Sequence, residues 1–169
     1  MSVTIDATAG GASANSYATL AEAETYFEER LHTTVWDAAT GDAKKAALVW
    51  ARKLIDDRIQ WAGTIADTAQ ALRWPRSGVV NPDGVSIEST EIPQFLKDAQ
   101  AELAALLIAS DRTAEPSTMG YKELGLGRGD VKVVFDKYDR TSAIPDVVWQ
   151  LVRYYGTHKS SVARRLIRV

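Results

Sequence analysis

Apolar positions recur at the helical period in four places along the chain. Leu20, Ala23, Phe27 and Leu31 share one face and predict a first helix over about Leu20 to Leu31. Thr19 stands where an N-cap belongs, and Glu22 three residues on completes a capping box. Ala47, Trp50, Ala51, Leu54 and Ile55 predict a second helix over about Asp42 to Trp61. That reading puts Trp50 on the core face and leaves Lys44, Lys45, Lys53 and Asp56 largely off it. Ile92, Phe95, Leu96, Ala99, Leu103, Leu106 and Leu107 form an unbroken stripe that opens at Pro93 and runs to about Ser110. Each such side chain contributes roughly 1.5–3 kcal/mol when buried, so this third helix is the expected centre of the core. A fourth helix follows Pro145, with Val148, Leu151, Val152 and Tyr155 on one face and Gly156 stopping it.

The period changes elsewhere. Met1 to Ser16 is small and polar around Gly10-Gly11 and reads as an extended arm. Trp36 and Thr40-Gly41-Asp42 punctuate a loop. Gly63 to Thr90 is irregular, holds Leu72-Arg73-Trp74-Pro75-Arg76, and carries the turn signal Asn81-Pro82-Asp83-Gly84. Lys122 to Leu126 and Val131 to Tyr138 alternate about Gly127-Arg128-Gly129-Asp130 and predict a β-hairpin. The expected fold is mostly α: a compact bundle of about four helices with a β-hairpin and extended N- and C-terminal arms. Its divisions are an arm over 1–16, a helical domain over 17–156 with the hairpin inserted at about 120–138, and a tail over 157–169.

Composition sharpens this in two ways. The chain has 169 residues, 46% hydrophobic and 25% charged, which suits one folded domain. There are no cysteines, so disulfides, thiolate metal sites and cysteine nucleophiles are all excluded. No signal peptide and no apolar run of membrane-spanning length is visible, and a soluble protein made in the cytoplasm is expected. The net charge is only −2 but unevenly placed. From Gln150 onward there are five basic residues and no acid, so the first 149 residues carry −7. An acidic body with a basic tail is a polarised building block.

Candidate chemistry is sparse. His32 and His158 lie far apart in unlike contexts, and Asp56 and Asp57 point about 100° apart on a helix, a poor chelate. Gly125-x-Gly127-x-Gly129 lacks the Gly-Lys-Ser/Thr ending of a phosphate loop and reads as turn glycines. Arg128-Gly129-Asp130 matches an adhesion tripeptide by letter alone. No catalytic residue, cofactor site or metal site is expected. Trp74, set between Arg73 and Pro75-Arg76, fits two roles: stacking bases of single-stranded nucleic acid, or pinning the loop to the helices. The second is preferred, with Trp74 and Arg76 as loop anchors.

Three stretches in order carry a resemblance. They are Ala14-Asn15-Ser16-Tyr17 with Leu20-Ala21-Glu22-Ala23 and Tyr26-Phe27; Leu72 to Gly78; and Glu91-Ile92-Pro93 with Lys97-Asp98-Ala99-Gln100 and Glu102-Leu103-Ala104. Over about Ala14 to Ser110 the chain resembles tailed-bacteriophage and prophage proteins labelled DnaT-like single-stranded DNA-binding, which are similar to head–tail adaptors (connectors) beneath the portal. The resemblance implies a non-catalytic virion subunit in the neck between head and tail. It would form a homo-oligomeric ring, a dodecamer, in contact with the portal protein and the next neck or tail-terminator protein. Packaged DNA would pass through the lumen without specific binding, and no membrane would be involved. The expected protein interface is Arg153, Lys159, Arg164, Arg165, Leu166, Ile167, Arg168 and Val169, with Arg128 in the hairpin. There the tail would add as a strand to a partner's sheet. The adaptor role is ranked above the alternative, a single-stranded DNA-binding accessory protein, because no basic groove is evident.

Overall fold

A computed structural model describes residues 3–114, 123–126, 131–134 and 142–159. Five helices and six strands occur among them: α1 Leu20–Glu28, α2 Thr34–Asp37, α3 Gly41–Arg58, β1 Ile59–Trp61, β2 Thr64–Ile65, β3 Arg76–Ser77, α4 Gln94–Ala109, β4 Glu123–Leu126, β5 Val131–Val134, α5 Asp146–Val152 and β6 Gly156–His158. The strands form three separate antiparallel ribbons, β1–β6, β2–β3 and β4–β5. The expectation of a bundle of about four helices with one hairpin and extended N- and C-terminal arms is therefore corrected. The helices are five, two of the ribbons were not foreseen, and the first arm is packed against the domain.

Helix α4 is the axis of the fold. It packs against α1, α2, α3 and α5, and Leu96, Ala99, Leu103 and Ala104 on it are fully buried. Gln100 is fully buried there too, and its amide is fully used. Its Oε1 accepts from the backbone N–H groups of Tyr17 (2.9 Å) and Ala18 (3.0 Å). Its Nε2 donates to Ser16 Oγ (2.7 Å) and to the Leu48 carbonyl (2.8 Å). This one side chain ties the N-terminal segment to both long helices. Asn15 pins the same segment from the other side: Asp6 N–H donates to Asn15 Oδ1 at 2.9 Å, and Asn15 N–H donates back to the Asp6 carbonyl at 2.8 Å.

The capping box opens α1: Glu22 N–H donates to Thr19 Oγ1, and Thr19 N–H donates to the Glu22 carboxylate. The helix stops at Glu28 rather than near Leu31, and Leu31 is 78% exposed. The reason is Trp36. The single turn α2 folds back so that Trp36 stacks on Phe27 with ring centroids 4.5 Å apart, taking the place expected for Leu31. Trp36 is buried, not a loop residue, and its indole N–H donates to Glu24.

Helix α3 ends at Arg58, three residues short of expectation, because Ile59 takes an extended backbone (φ −111°, ψ 131°) and β6 pairs with the segment that follows. Burial then alternates along Ile59, Gln60 and Trp61, the period of a strand. Three side chains of α3 were misplaced by the apolar stripe, Asp56 being buried as well. Trp50 is 42% exposed, and Lys44 is buried with its ammonium 2.8 Å from Glu24.

The stretch 63–90 holds β2, β3 and a bridge between Val80 and Ser86. The hairpin strands β4 and β5 pair from Glu123↔Val134 to Leu126↔Val131. Helix α5 follows Pro145 but ends at Val152. Gly156 does not stop it; that glycine opens β6 instead.

Candidate nucleic-acid interface

Trp74 and Arg76 lie inside the domain. Trp74 is wholly buried, edge-on to Trp61 (5.6 Å) and Phe95 (5.7 Å). Arg76 donates to the carbonyls of Ala62 (2.6 Å), Gly63 (2.7 Å) and Arg73 (3.0 Å). Burial lowers the pKa of its guanidinium. An arginine spent on three carbonyls closes the β2–β3 turn and has no phosphate-facing role.

The two neighbouring aspartates divide. Asp56 is buried and accepts the Tyr17 hydroxyl, whereas Asp57 is exposed. His32 sits in the turn after α1 at φ 63°, and His158 sits in β6. No group of three or more His, Cys, Asp or Glu side chains among the described residues is arranged to hold a metal ion. Gly125 lies in β4 opposite Lys132. Arg128, Arg164, Arg165, Leu166, Ile167, Arg168 and Val169 lie outside the described residues.

Arg153 follows α5 and Lys159 follows β6, so they stand at the two ends of the β1–β6 ribbon. The α5 helix ends into Arg153, whose guanidinium lies 4.8 Å over the Tyr154 ring and donates to its hydroxyl at 2.9 Å. Tyr154 is 60% exposed, while its neighbour Tyr155 turns inward and stacks on Phe95 at 3.8 Å. The next three residues form β6, in register Trp61↔Gly156, Gln60↔Thr157 and Ile59↔His158. His158 stacks on Trp149 of α5 at 3.8 Å, which joins the ribbon to that helix. Lys159 extends the ladder by donating its N–H to the Arg58 carbonyl at 2.8 Å. Its ammonium donates to the Asp56 carbonyl at 2.7 Å and keeps two further N–H donors. Arg58, Gln60, Arg153, Tyr154, Thr157, His158 and Lys159 are all exposed.

A glycine makes the ribbon possible. A Cβ on Gly156 would lie 2.8 Å from the Gln60 carbonyl and 2.7 Å from Ile59 Cγ2. The close approach of the two backbones at this point needs the missing side chain.

The result is a surface of three cations, an exposed phenol and a stacked indole–imidazole pair. From Val147 to Val169 the sequence holds no acid at all. Its nearest acidic residue in sequence is Asp57, beside Arg58. Arg58 and Tyr154 escaped notice in the sequence because nothing in their local context brings 58 and 159 together. Only the pairing of β1 with β6 does. The strand-like alternation of Ile59-Gln60-Trp61 was the available signal.

No curated protein and no solved structure matches the chain. A family model matches it over residues 1–169, and that family's description names single-stranded DNA. The resemblance to phage head–tail adaptors is corrected by that match, whose description names single-stranded DNA and no connector. The chain belongs to the family described as "Putative DnaT-like ssDNA binding protein".

Proposed function

We propose that this protein binds single-stranded DNA, and that it does so through the surface formed by the end of α5 and the β1–β6 ribbon. The observation that carries the reading is the run of exposed side chains along the β1–β6 ribbon, with Arg153 over Tyr154 at one end and Lys159 paired through its backbone with Arg58 at the other. Cations that track a backbone, interleaved with aromatic faces for bases, are what sequence-tolerant single-strand binding requires. The family description supports the same ligand. A net charge of −2 over the whole chain is compatible with this, because the segment from Val147 onward carries no acid, while Asp57 lies beside Arg58 and Asp83 acts on Tyr155. The following segment adds Arg164, Arg165 and Arg168 to the same end of the chain.

Fluorescence anisotropy with a labelled oligothymidine across a salt series tests the proposal. Each phosphate neutralised on a single strand contributes a slope of about −0.7 in log affinity against log salt, so three cations give about −2. The double variant Arg153→Glu with Lys159→Glu should remove binding at low salt while keeping the helical circular dichroism. Wild-type protein that shows no binding at about 50 mM salt, where such contacts are strong, would overturn the function. Unchanged binding by the double variant would overturn the surface.

A further inference from the structure

The chain has five tryptophans, and four of them have a structural task. Trp36 stacks on Phe27, Trp61 and Trp74 pack edge-to-face, and Trp149 is covered by His158. Trp50 has none of these. It lies on α3 about 100° round from the centre of the buried stripe formed by Ala47, Leu48, Ala51, Leu54 and Ile55. It is 42% exposed, and a cation lies over it: Lys53 Nζ is 5.2 Å from the ring centroid.

We infer that Trp50 and Lys53 form a second contact for single-stranded nucleic acid, with Trp50 stacking on a base and Lys53 meeting the adjacent phosphate. This rests on the proposed function and extends it along α3. An indole with an exposed flank and an ammonium held beside it offers the two recognition elements of a single strand in one turn of helix. The position fits the ribbon surface. Trp50 precedes Arg58 by eight residues, about 12 Å along the helix axis and about 80° round it, a rise of roughly three to four stacked nucleotides with the strand turning round the helix. Asp57, one turn beyond Lys53 on the same exposed stripe, stands between the two contacts. Its carboxylate repels a passing phosphate and limits affinity.

The test compares Trp50→Ala, Trp50→Phe, Lys53→Ala and Asp57→Asn with wild type on the same labelled oligothymidine. Trp50→Ala should weaken binding on the order of 5- to 100-fold, the range for losing one stacked base. Trp50→Phe should restore most of it, and Asp57→Asn should tighten it. On an abasic oligonucleotide of equal length, wild type and Trp50→Ala should bind alike, because no base is left to stack. Circular dichroism on the Trp50→Ala protein confirms that the helix is intact. If Trp50→Ala binds oligothymidine like wild type while Arg153→Glu with Lys159→Glu does not bind, the inference is wrong and the proposed function stands. If wild type itself fails to bind, both fall together. If Trp50→Ala weakens abasic and normal strands equally, the indole is not a stacking platform and the inference is overturned.

Discussion

The Tyr17 hydroxyl donates to Asp56 Oδ1 across 2.5 Å inside the domain. The bond joins the segment before α1 to the last turn of α3, directly behind the β1–β6 ribbon. Burial raises the Asp56 pKa above its ordinary value, against the opposing effects of the Tyr17 bond and the Arg52 and Arg73 guanidinium groups. Burial and the facing Asp56 carboxyl raise the Tyr17 hydroxyl well above its ordinary range. Removing the donor leaves a buried carboxyl with fewer partners. Tyr17→Phe should therefore cost about 1–3 kcal/mol, read as a lower urea midpoint.

The same carboxyl gives a pH signature with a definite sign. A raised folded pKa means the folded state holds the proton more tightly. The stability that Asp56 contributes is greatest below its unfolded value of 3.8 and is lost as pH rises through the folded value. Glu22 runs the other way. Burial pushes its carboxyl up, but the Lys97 ammonium at 2.6 Å and the Thr19 donors outweigh burial and hold it below 4.5. Its contribution is present above 4.5 and is lost as pH falls through the folded value. Asp56→Asn should thus gain stability relative to wild type as the pH is raised from acid to neutral, and Glu22→Gln should lose it. Parallel stability curves for wild type and Asp56→Asn would contradict the assignment.

Gln100 makes four hydrogen bonds from a fully buried amide. Gln100→Leu fits the space but orphans the Tyr17 and Ala18 N–H groups. A loss of at least about 2 kcal/mol is expected, with a matching loss of hydrogen-exchange protection at those two amides. Retained protection there would show that other groups hold the N-terminal segment.

The four longer helices were legible from local signals: the Thr19–Glu22 box, Pro93 and Pro145 at helix starts, and the apolar stripes of α3 and α4; the single turn α2 was read as a loop. What failed depended on partners distant in sequence. Leu31 fits the face of α1, but Trp36 occupies the site. Trp50 lies at the margin of the α3 stripe, where period alone cannot place a side chain. Lys44 reads as solvated until Glu24 is brought beside it. The arm over 1–16 has only Ile5 and Ala14 against the core, too little apolar pattern to announce packing, and the amide of Gln100 anchors it as well. The site suffered most, because Arg58 and Lys159 meet only through a pairing between segments about a hundred residues apart.

Trp74 and Arg76 separate stability from binding. Trp74→Ala removes a fully buried indole and should cost about 3–5 kcal/mol. Arg76→Lys keeps the charge but loses the fork that reaches the Ala62, Gly63 and Arg73 carbonyls. Both variants should melt at lower temperature. Below their melting points both should keep the wild-type salt slope for oligonucleotide binding, since neither meets phosphate. A reduced slope for Arg76→Lys would show that Arg76 does contact the strand.

Gly156 offers the most direct handle on the ribbon as a binding element. An alanine there would drive its Cβ to within 2.8 Å of the Gln60 carbonyl, so β6 must move away from β1. Relieving such a clash typically costs about 1–3 kcal/mol. The helices do not depend on this pairing, whereas the placement of Lys159 against Arg58 does. Gly156→Ala should keep the helical circular dichroism and lose exchange protection at the amides that the ribbon shields. Its oligonucleotide affinity should fall several-fold. Full affinity together with lost protection would mean that the strand is held by α5 and the residues after β6, and that the ribbon is scaffolding rather than contact surface.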